Sequence, residues 1–336
     1  MAVNVVWFKR DLRFADHAPL ELALQLDEPT LMIYVIEPRL LRNPHYRGRH
    51  WQFIGQSLED LQRTAEASGH RIDVLEGDAV EVFNEVHQKL GISRLLSYEE
   101  TGLDLTFQRD QAVAKFCQSA GIEWREFQTN GVERGRRDRK GWNRSWHQFM
   151  TAAPHQIELG SMEPISTEAS EQLDGLRSSK HREWIKDNGG MQAGGPNQAQ
   201  QVLNSFLDDR GWGYQKFISK PEKSRTHCSR LSPYLAWGNL SMRQAYQALQ
   251  QQEKKQGWGC AMSAFESRLH WHCHFIQKFE MECRMEFEDI NRGYAAQPRG
   301  HDENLVTAWK DGMTGYPLID ATMRALKVTG YANFRS

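Results

Sequence analysis

Two histidines close together near the middle of the C-terminal half first suggest metal chemistry. His270 and His274 stand four residues apart in the run HWHCH. At this spacing two imidazoles on one helix can coordinate a single metal ion. No carboxylate completes an HExxH arrangement, and further ligands would have to come from an unidentified part of the chain. We therefore expect no metal site here.

A second segment, CSRLSPYLAWGNLS over residues 228–241, has the residue types of an anion-binding turn. Ser229 and Ser232 precede a helix that Pro233 would start. Their hydroxyl and backbone N–H groups could hold a phosphate or diphosphate at that helix start. Simple capping of the helix is the alternative, and the residues alone leave both interpretations open.

A third segment, residues 309–326, contains a well-formed helix start. Pro317 suits a first helical turn, and Asp320 precedes Arg324 by four residues, the favourable order for an ion pair along a helix. By itself this pattern indicates a helix and no chemistry.

The N-terminal 127 residues alternate between strand-like and helix-like patterns. Strands are predicted at Val3–Phe8, Thr30–Ile36, Arg71–Leu75, Ser93–Ser97 and Ile122–Phe127, and helices at Ala18–Gln25, His50–Ser68, Val80–Leu90 and Thr106–Ala120. This alternation predicts an α/β domain with a parallel, Rossmann-like sheet and right-handed crossovers. No GxGxxG or GxxxxGK[ST] motif follows the first strand, which excludes a dinucleotide fingerprint and a P-loop.

The remaining chain divides into a connector, 128–198, and a helical domain, 199–336. The segment from Glu133 to Arg144 contains six basic and two acidic residues. This excess of positive charge indicates either a solvated surface loop or an arm that contacts phosphates. Helices are predicted at Ala199–Leu207, Leu231–Ala236, Met242–Gln250, Met262–Phe279 and Pro317–Leu326.

The apolar stripe of the helix at 262–279 sets the expected directions of two side chains. Its members are Phe265, Leu269, His272, Ile276 and Phe279. His272 should therefore face the core. Trp271, offset by about 100°, should face outwards.

Composition narrows the class of protein. Among 336 residues, 42 Lys and Arg nearly balance 43 Asp and Glu, so any nucleic acid must meet a local basic patch. Eleven Trp favour stacking surfaces or an aromatic cofactor. Five Cys without CxxC spacing favour a reducing compartment, and no signal peptide or membrane span is evident. We expect a cytoplasmic monomer.

Three segments in this order, VVWFKRDLR at 5–13, SRLSPYL at 229–235 and GYPLIDATMR at 315–324, closely resemble the photolyase/cryptochrome flavoprotein family. The resemblance implies an α/β domain that often holds an antenna chromophore, here an unidentified folate or deazaflavin, and a helical domain that binds FAD. It also implies light-driven electron transfer from reduced FAD into a pyrimidine dimer flipped out of DNA, or signalling in cryptochromes.

The resemblance assigns roles to individual residues. Tyr214 would contact the FAD phosphates together with the turn Ser229, Arg230, Leu231 and Ser232, and His272 would lie near them. Trp271 would stack on the dimer, with packing at a helix seam as its alternative role, and Arg268 stands where many members carry a base-reading Glu. A guanidinium only donates hydrogen bonds, so that readout does not carry over.

The final residues resemble the family's segment beside the substrate. Asn333 stands at a His position and Phe334 at an Asn position. Because an amide cannot donate a proton as His does, chemistry of the (6-4) type is not expected.

The chain ends before the helices that complete the flavin cradle in this family. The sequence therefore predicts a C-terminally truncated member: a DNA photolyase-like protein with impaired light-driven repair of pyrimidine dimers. A cryptochrome-like blue-light photoreceptor that binds FAD without repairing DNA is the alternative, and an inactive α/β module with only an antenna site is a third reading.

Overall fold

A five-stranded parallel sheet organises the N-terminal half. The computed structural model describes residues 2–186, 189–252, 255–298 and 300–333. Its strands are β1 (Val3–Phe8), β2 (Thr30–Ile36), β3 (Ile72–Glu76), β4 (Ile92–Tyr98) and β5 (Glu123–Phe127). They lie in the order β3-β2-β1-β4-β5, and all four neighbouring pairs are parallel. The sequence prediction of a parallel α/β sheet is confirmed.

Sixteen α-helices are assigned within the described residues. They are α1 (Ala18–Leu26), α2 (Pro38–Arg42), α3 (Gly48–Ala67), α4 (Ala79–Leu90), α5 (Asp104–Ala120), α6 (Trp142–Thr151), α7 (Thr167–Glu171), α8 (Lys180–Glu183), α9 (Pro196–Ser205), α10 (Tyr214–Phe217), α11 (Pro221–His227), α12 (Ser232–Ala236), α13 (Met242–Gln252), α14 (Gly259–Met281), α15 (Glu303–Asp311) and α16 (Pro317–Thr329). Every helix predicted from the sequence is present, whereas seven were not predicted: α2, α6, α7, α8, α10, α11 and α15.

The sheet is buried on both faces because its strands alternate between two apolar cores. Val6 and Phe8 of β1 belong to the core under α1 and α3, whereas Val5 and Trp7 belong to the core under α4 and α5. A third core fills the helical half, around Phe206 and Phe265. The first half is thus α/β and the second is helical, as the sequence predicts.

Part of the expected surface connector is a core element. Helix α6 buries Trp142, Trp146 and Met150 in the helical core, and Trp142 Nε1 donates to the Gly131 carbonyl at 2.9 Å. The solvated-loop interpretation of this basic segment is therefore wrong at the tryptophans, although its arginines remain near the surface.

The apolar stripe of α14 differs from the predicted one. The buried side chains at its centre are Phe265, Leu269, Cys273 and Gln277. This face is rotated by about one residue from the predicted stripe, so His272 is only half-buried and Phe279 is not part of the core.

The two halves meet at a seam of hydrogen bonds from backbone and side-chain donors to backbone carbonyls. The Leu12 N–H donates to the Trp237 carbonyl at 3.0 Å, and Asn239 Nδ2 donates to the Leu12 carbonyl at 2.9 Å. Gly238 lies between them with φ +69°, and a Cβ there would approach the Arg10 carbonyl oxygen to 2.3 Å. Only glycine suits this position, where two segments of the same chain pass in close contact.

A buried ion pair reinforces the seam. Asp16 accepts from Arg243 Nη1 at 2.7 Å and from the Ser241 hydroxyl at 2.6 Å. Burial would raise the pKa of Asp16, but the Ser241 hydrogen bond and the charges of Arg13 and Arg243 bring it below its ordinary value. The carboxylate is therefore ionised where it holds the halves together.

Candidate functional site

The turn at residues 228–232 presents unused backbone donors. Arg230 has φ +62°, a left-handed conformation that is uncommon for a residue with a side chain. Within the described part of the chain, the backbone N–H groups of Ser229, Arg230 and Ser232 donate to no acceptor. Successive N–H groups around one left-handed residue form a concave anion site. The local geometry therefore fits a phosphate group.

Arg230 is fixed in place by neighbours from two other segments. Its Nε donates to Gln192 Oε1 at 3.0 Å, and Gln192 Nε2 donates back to the Arg230 carbonyl at 2.9 Å. Its guanidinium lies 4.2 Å from the centre of the Tyr331 ring. Arg210 reaches the same turn through the Cys228 carbonyl, at 2.6 Å. Two guanidinium groups thus give the turn positive charge.

A cleft of about 290 Å³ opens beside this turn. Ser232 and Gln192 supply polar groups, Trp237 and Tyr331 supply flat aromatic walls, and Arg49 of α3 supplies a cation. Aromatic walls with a few polar groups are typical of cofactor sites. The residues present therefore fit part of a dinucleotide that carries aromatic rings and a diphosphate.

Tyr214 and Leu231 lie in the helical core. Tyr214 is 4% exposed, and its ring centre lies 5.5 Å from that of Phe206 and 5.8 Å from that of Phe265. Leu231 is also buried. These two residues support the turn from below, whereas Ser229, Arg230 and Ser232 are accessible.

The end of the described chain folds back towards the same turn. Asn333 Nδ2 donates to the Ile218 carbonyl at 2.5 Å and lies 3.7 Å from Cys228 Sγ. Phe334 lies outside the described residues.

Trp271 projects from α14 as an exposed aromatic surface. Its side chain is 44% exposed, and the Arg268 guanidinium carbon lies 4.4 Å from its ring centre. Phe275, one turn further along, lies 6.0 Å from Trp271 and is also exposed. The outward direction predicted for Trp271 is confirmed, and Phe275 extends the surface in a way that the sequence pattern did not predict.

Basic groups from α6 and the loop before it border this aromatic surface. Arg139 Nη2 donates to the His274 carbonyl at 2.7 Å, and the His274 ring lies 5.4 Å from Phe275. Arg137, Lys140 and Arg144 are exposed nearby in sequence. The surface combines stacking rings with positive charge, as nucleic-acid interfaces do.

His272 lies on another side of α14, in a cleft of about 130 Å³ at the seam. The same cleft is lined by Arg10, Glu99 and Thr101 from the carboxyl edge of the sheet, and it shares Ala236 with the cleft beside Ser232. Burial, assisted by Arg10, lowers the pKa of His272 to about 4. His272 is therefore neutral at pH 7 and brings no charge to a phosphate.

The crevice at the carboxyl ends of β1 and β2, beside α5, is filled by charged side chains. Lys9 Nζ lies 3.1 Å from Asp110, and Arg109 Nη1 lies 2.8 Å from Glu37. Burial raises the pKa of Glu37. About 20 Å³ remains open beside these pairs, room for about one water molecule. A chromophore does not fit in the crevice itself.

Within the described ranges, no three His, Cys, Asp or Glu side chains come together as a candidate metal site. His270 instead packs its ring 5.0 Å from Trp142 and 4.9 Å from Trp146. In the same ranges, no helix has both the length and the apolar character needed to cross a bilayer.

The comparisons with known proteins agree with this architecture. Residues 4–134 match the family model for DNA photolyase, and residues 265–336 match the model for the FAD binding domain of DNA photolyase. The chain belongs to the photolyase/cryptochrome family of flavoproteins.

Curated relatives include both functional branches. Cryptochrome-2 of Gallus gallus is 25% identical over 351 residues, which cover 98% of this chain and 60% of that protein. Deoxyribodipyrimidine photo-lyase of Agrobacterium fabrum is 26% identical over 342 residues, 96% of this chain and 68% of that enzyme. The chain thus spans about two thirds or less of the length of these two relatives.

Solved structures share the fold. Synechocystis cryptochrome superposes with a TM-score of 0.85 at 20% identity, covering all of this chain and 73% of its own. An archaeal photolyase from Sulfolobus tokodaii, described with two FAD molecules, gives 0.80 at 24% identity, covering 99% of this chain and 72% of its own. At such identities the likeness shows the fold alone.

Several residues of these clefts were missed by sequence reasoning. Gln192 lies in a Gly-rich stretch that reads as a linker, and Arg49 and Trp237 become neighbours only through the tertiary fold. Tyr331 lies just beyond the end of α16, and nothing in its local pattern indicates that it stacks on Arg230. The GG pair at 194–195 was the available signal, because glycines often mark close backbone approach.

Proposed function

We propose that the chain is a FAD-dependent, light-driven DNA photolyase acting on pyrimidine dimers. The observation that carries this proposal is the exposed Trp271 platform beside basic residues, in a molecule whose turn at 228–232 fits a diphosphate. When bound, FAD supplies the light-excited electron that opens the dimer. The protein's own residues bind the cofactor and the damaged strand.

In this proposal the turn holds the FAD diphosphate through the N–H groups of Ser229, Arg230 and Ser232. Arg230 adds its charge, and Tyr214 and Leu231 keep the turn rigid from the core side. Tyr331 and Trp237 exclude water from the aromatic part of the cofactor. The incoming strand is attracted by Arg139 and its neighbours.

Trp271 would receive the flipped bases. An exposed indole can stack on any base without regard to sequence, and a damaged pair costs less to unstack than an intact one. Arg268 lies over one face of the ring, so the bases must use the other face or displace the guanidinium. We assign Arg268 to contact a DNA phosphate, and Asn333 to the neighbourhood of the substrate.

The same Arg268 contact supports the second candidate, a photoreceptor that binds FAD without repair. A Trp271 ring covered by Arg268 is a poorer platform for bases. Photoreceptors of this kind need the cofactor site and not the DNA platform.

One experiment separates the two functions. The protein is loaded with FAD, reduced, and illuminated with an oligonucleotide that carries one cyclobutane thymine dimer, and intact thymines are measured. The photolyase proposal predicts repair that falls at least about tenfold in Trp271→Ala. Trp212→Ala, which removes another exposed tryptophan, is the control and should repair normally.

Flavin absorbance is recorded in the same samples. Flavin bands with an intact dimer would favour the photoreceptor, and no flavin uptake at all would refute both candidates.

For an antenna chromophore we propose the seam cleft at the carboxyl ends of β1 and β4, lined by Glu99, Thr101 and His272, since the crevice at the ends of β1 and β2 is filled. His272→Trp would fill this cleft. We expect that variant to lose any second chromophore absorbance while its FAD content stays unchanged. Loss of both chromophores together would contradict the assignment.

A further inference from the structure

A separate cleft of about 290 Å³ lies at the edge strand β3, and neither proposed site uses its residues. Leu58 of α3 and Val74 of β3 form its apolar wall, and Arg71, Ser179, His181 and Arg182 form its polar side. It is the most polar of the clefts described here. Its lining suggests an anionic ligand with a small uncharged part.

The cleft is built by the connector returning to the sheet. The Ser178 N–H donates to the Val74 carbonyl at 2.8 Å, and Arg177 Nε donates to Asp73 Oδ1 at 2.6 Å. Arg177 also donates to the Ser170 carbonyl at 2.8 Å. These contacts occupy the Arg177 guanidinium. Arg71 and Arg182 are therefore the arginines of this cleft that can contact a ligand.

Arg71 and Arg182 each use only one part of their guanidinium group. Arg71 Nε lies 2.9 Å from Asp73, and Arg182 Nε lies 2.8 Å from Glu59. Within the described residues, the Nη groups of both arginines have no hydrogen-bond partner. Their side chains are 48% and 63% exposed. Two guanidinium groups with available N–H donors therefore border one cleft.

His181 gives an independent indication of a ligand. The residue is 7% exposed, its Nε2 lies 3.5 Å from Glu59, its ring contacts the Ser178 backbone, and its Nδ1 has no well-aligned hydrogen-bond partner within the described chain. A buried ring nitrogen without a partner is costly, and such groups are rare unless a ligand or ion satisfies them. His181 lines the cleft that the two arginines border.

We propose that this cleft binds the phosphate group of a small phosphate monoester. The Nη groups of Arg71 and Arg182 would donate to the phosphate oxygens, with the exposed Ser179 hydroxyl as a further donor. Leu58 and Val74 would contact the organic part. Arginine forks suit the tetrahedral anion because they offer paired donors in a fixed geometry.

Binding would also protonate His181. Burial lowers the pKa of His181 in the free protein, and the facing charges are Glu59 on α3, Asp73 and Arg71 at β3, and Arg177 and Arg182 on the connector. A dianion in the cleft favours the charged imidazolium, whose Nδ1–H then gains an acceptor. The affinity of the cleft for the anion should therefore rise as the pH falls from 8 to 6.

Calorimetric titration of the full chain tests the proposal. Sulfate is the first probe, because its charge does not change between pH 6 and 8, and ribose 5-phosphate is the monoester. We expect saturable binding of both, weakened at least about tenfold in the double variant Arg71→Gln/Arg182→Gln. Arg63→Gln, an exposed arginine of α3 outside the cleft, is the control and should bind normally.

The histidine is tested separately with His181→Gln, after circular dichroism has shown that the variant is folded. Wild type should bind sulfate at least about threefold more tightly at pH 6 than at pH 8, and the variant should not. Absence of saturable binding, or equal loss in Arg63→Gln, overturns the site. Equal pH dependence in wild type and His181→Gln overturns the role of His181.

Discussion

Arg230 combines an unusual backbone conformation with side-chain contacts to Gln192 and Tyr331. It joins the turn at 228–232 to Gln192 on one side and Tyr331 on the other. We predict that Arg230→Ala lowers FAD affinity at least about tenfold, since a charge-assisted contact and the support of an aromatic wall are lost together.

The measurement is fluorescence titration with FAD. Lys223→Ala, an exposed cation on nearby α11, is the control. An equal loss of affinity in both variants would show that general positive charge, not this residue, attracts the cofactor.

His272 should make stability depend on pH. Its pKa is about 4 when folded against an ordinary value of 6.5, so the unfolded chain binds the extra proton more readily. Stability should therefore fall as the pH drops from 6.5 towards 4, by up to about 3 kcal/mol from this group.

His272→Gln should flatten that part of the profile in urea denaturation measured at several pH values. Identical slopes for wild type and variant would show that His272 titrates normally in the folded protein.

Individual site residues could be predicted only as far as a local motif reaches. SRLSPYL indicated the turn, and helical periodicity indicated that Trp271 is exposed. The apolar periodicity of α14 predicted that His272 faces the core. Cys273 and Gln277 occupy the buried face instead, because one is small and the other flexible. Gln192 and Arg49 could not be predicted, since their neighbours are more than 30 residues away in sequence.

Helix α6 shows how a basic, Gly-rich stretch can still contribute to a core. Trp146 is fully buried, and its ring lies 5.4 Å from Tyr246. We predict that Trp146→Ala lowers the free energy of unfolding by about 3 to 5 kcal/mol, the usual cost of removing a large buried ring.

Chemical denaturation measures this loss, with Gln148→Ala on the exposed side of α6 as the control, expected within about 0.5 kcal/mol of wild type. A small effect of Trp146→Ala would mean that α6 is only loosely docked. The helix escaped prediction because the charges before it dominate any local average, whereas its tryptophans recur every four residues over less than three turns.

The sheet and most helices were predictable because buried β-branched runs and amphipathic segments alternate clearly in residues 1–127. The domain limits at 127 and 198 stay predictions. What the sequence did not show is how the two halves join, because that contact depends on one glycine and a few carbonyl groups.

Gly238 gives a test of the joined molecule. Alanine there would meet the Arg10 carbonyl and Asp11, and would also carry a positive φ. We predict that Gly238→Ala costs more than about 3 kcal/mol and speeds proteolysis of the connector.

Gly257→Ala is the matched control, because Gly257 has φ +82° but no atom closer than 3.9 Å to an added Cβ. It should cost about 1 kcal/mol from backbone strain alone. Similar losses in the two variants would show that the seam yields without a penalty.

The return of the connector to β3 bears on how the chain emerges from the ribosome. Strand β3 is an edge of the sheet, and its outer side is paired in part by residues 177 and 178, about 100 positions later. Until those residues are synthesised, a completed five-stranded sheet would expose an open, apolar edge able to pair with another nascent chain. A fragment ending at 127 should therefore self-associate through this edge, which sedimentation experiments would detect.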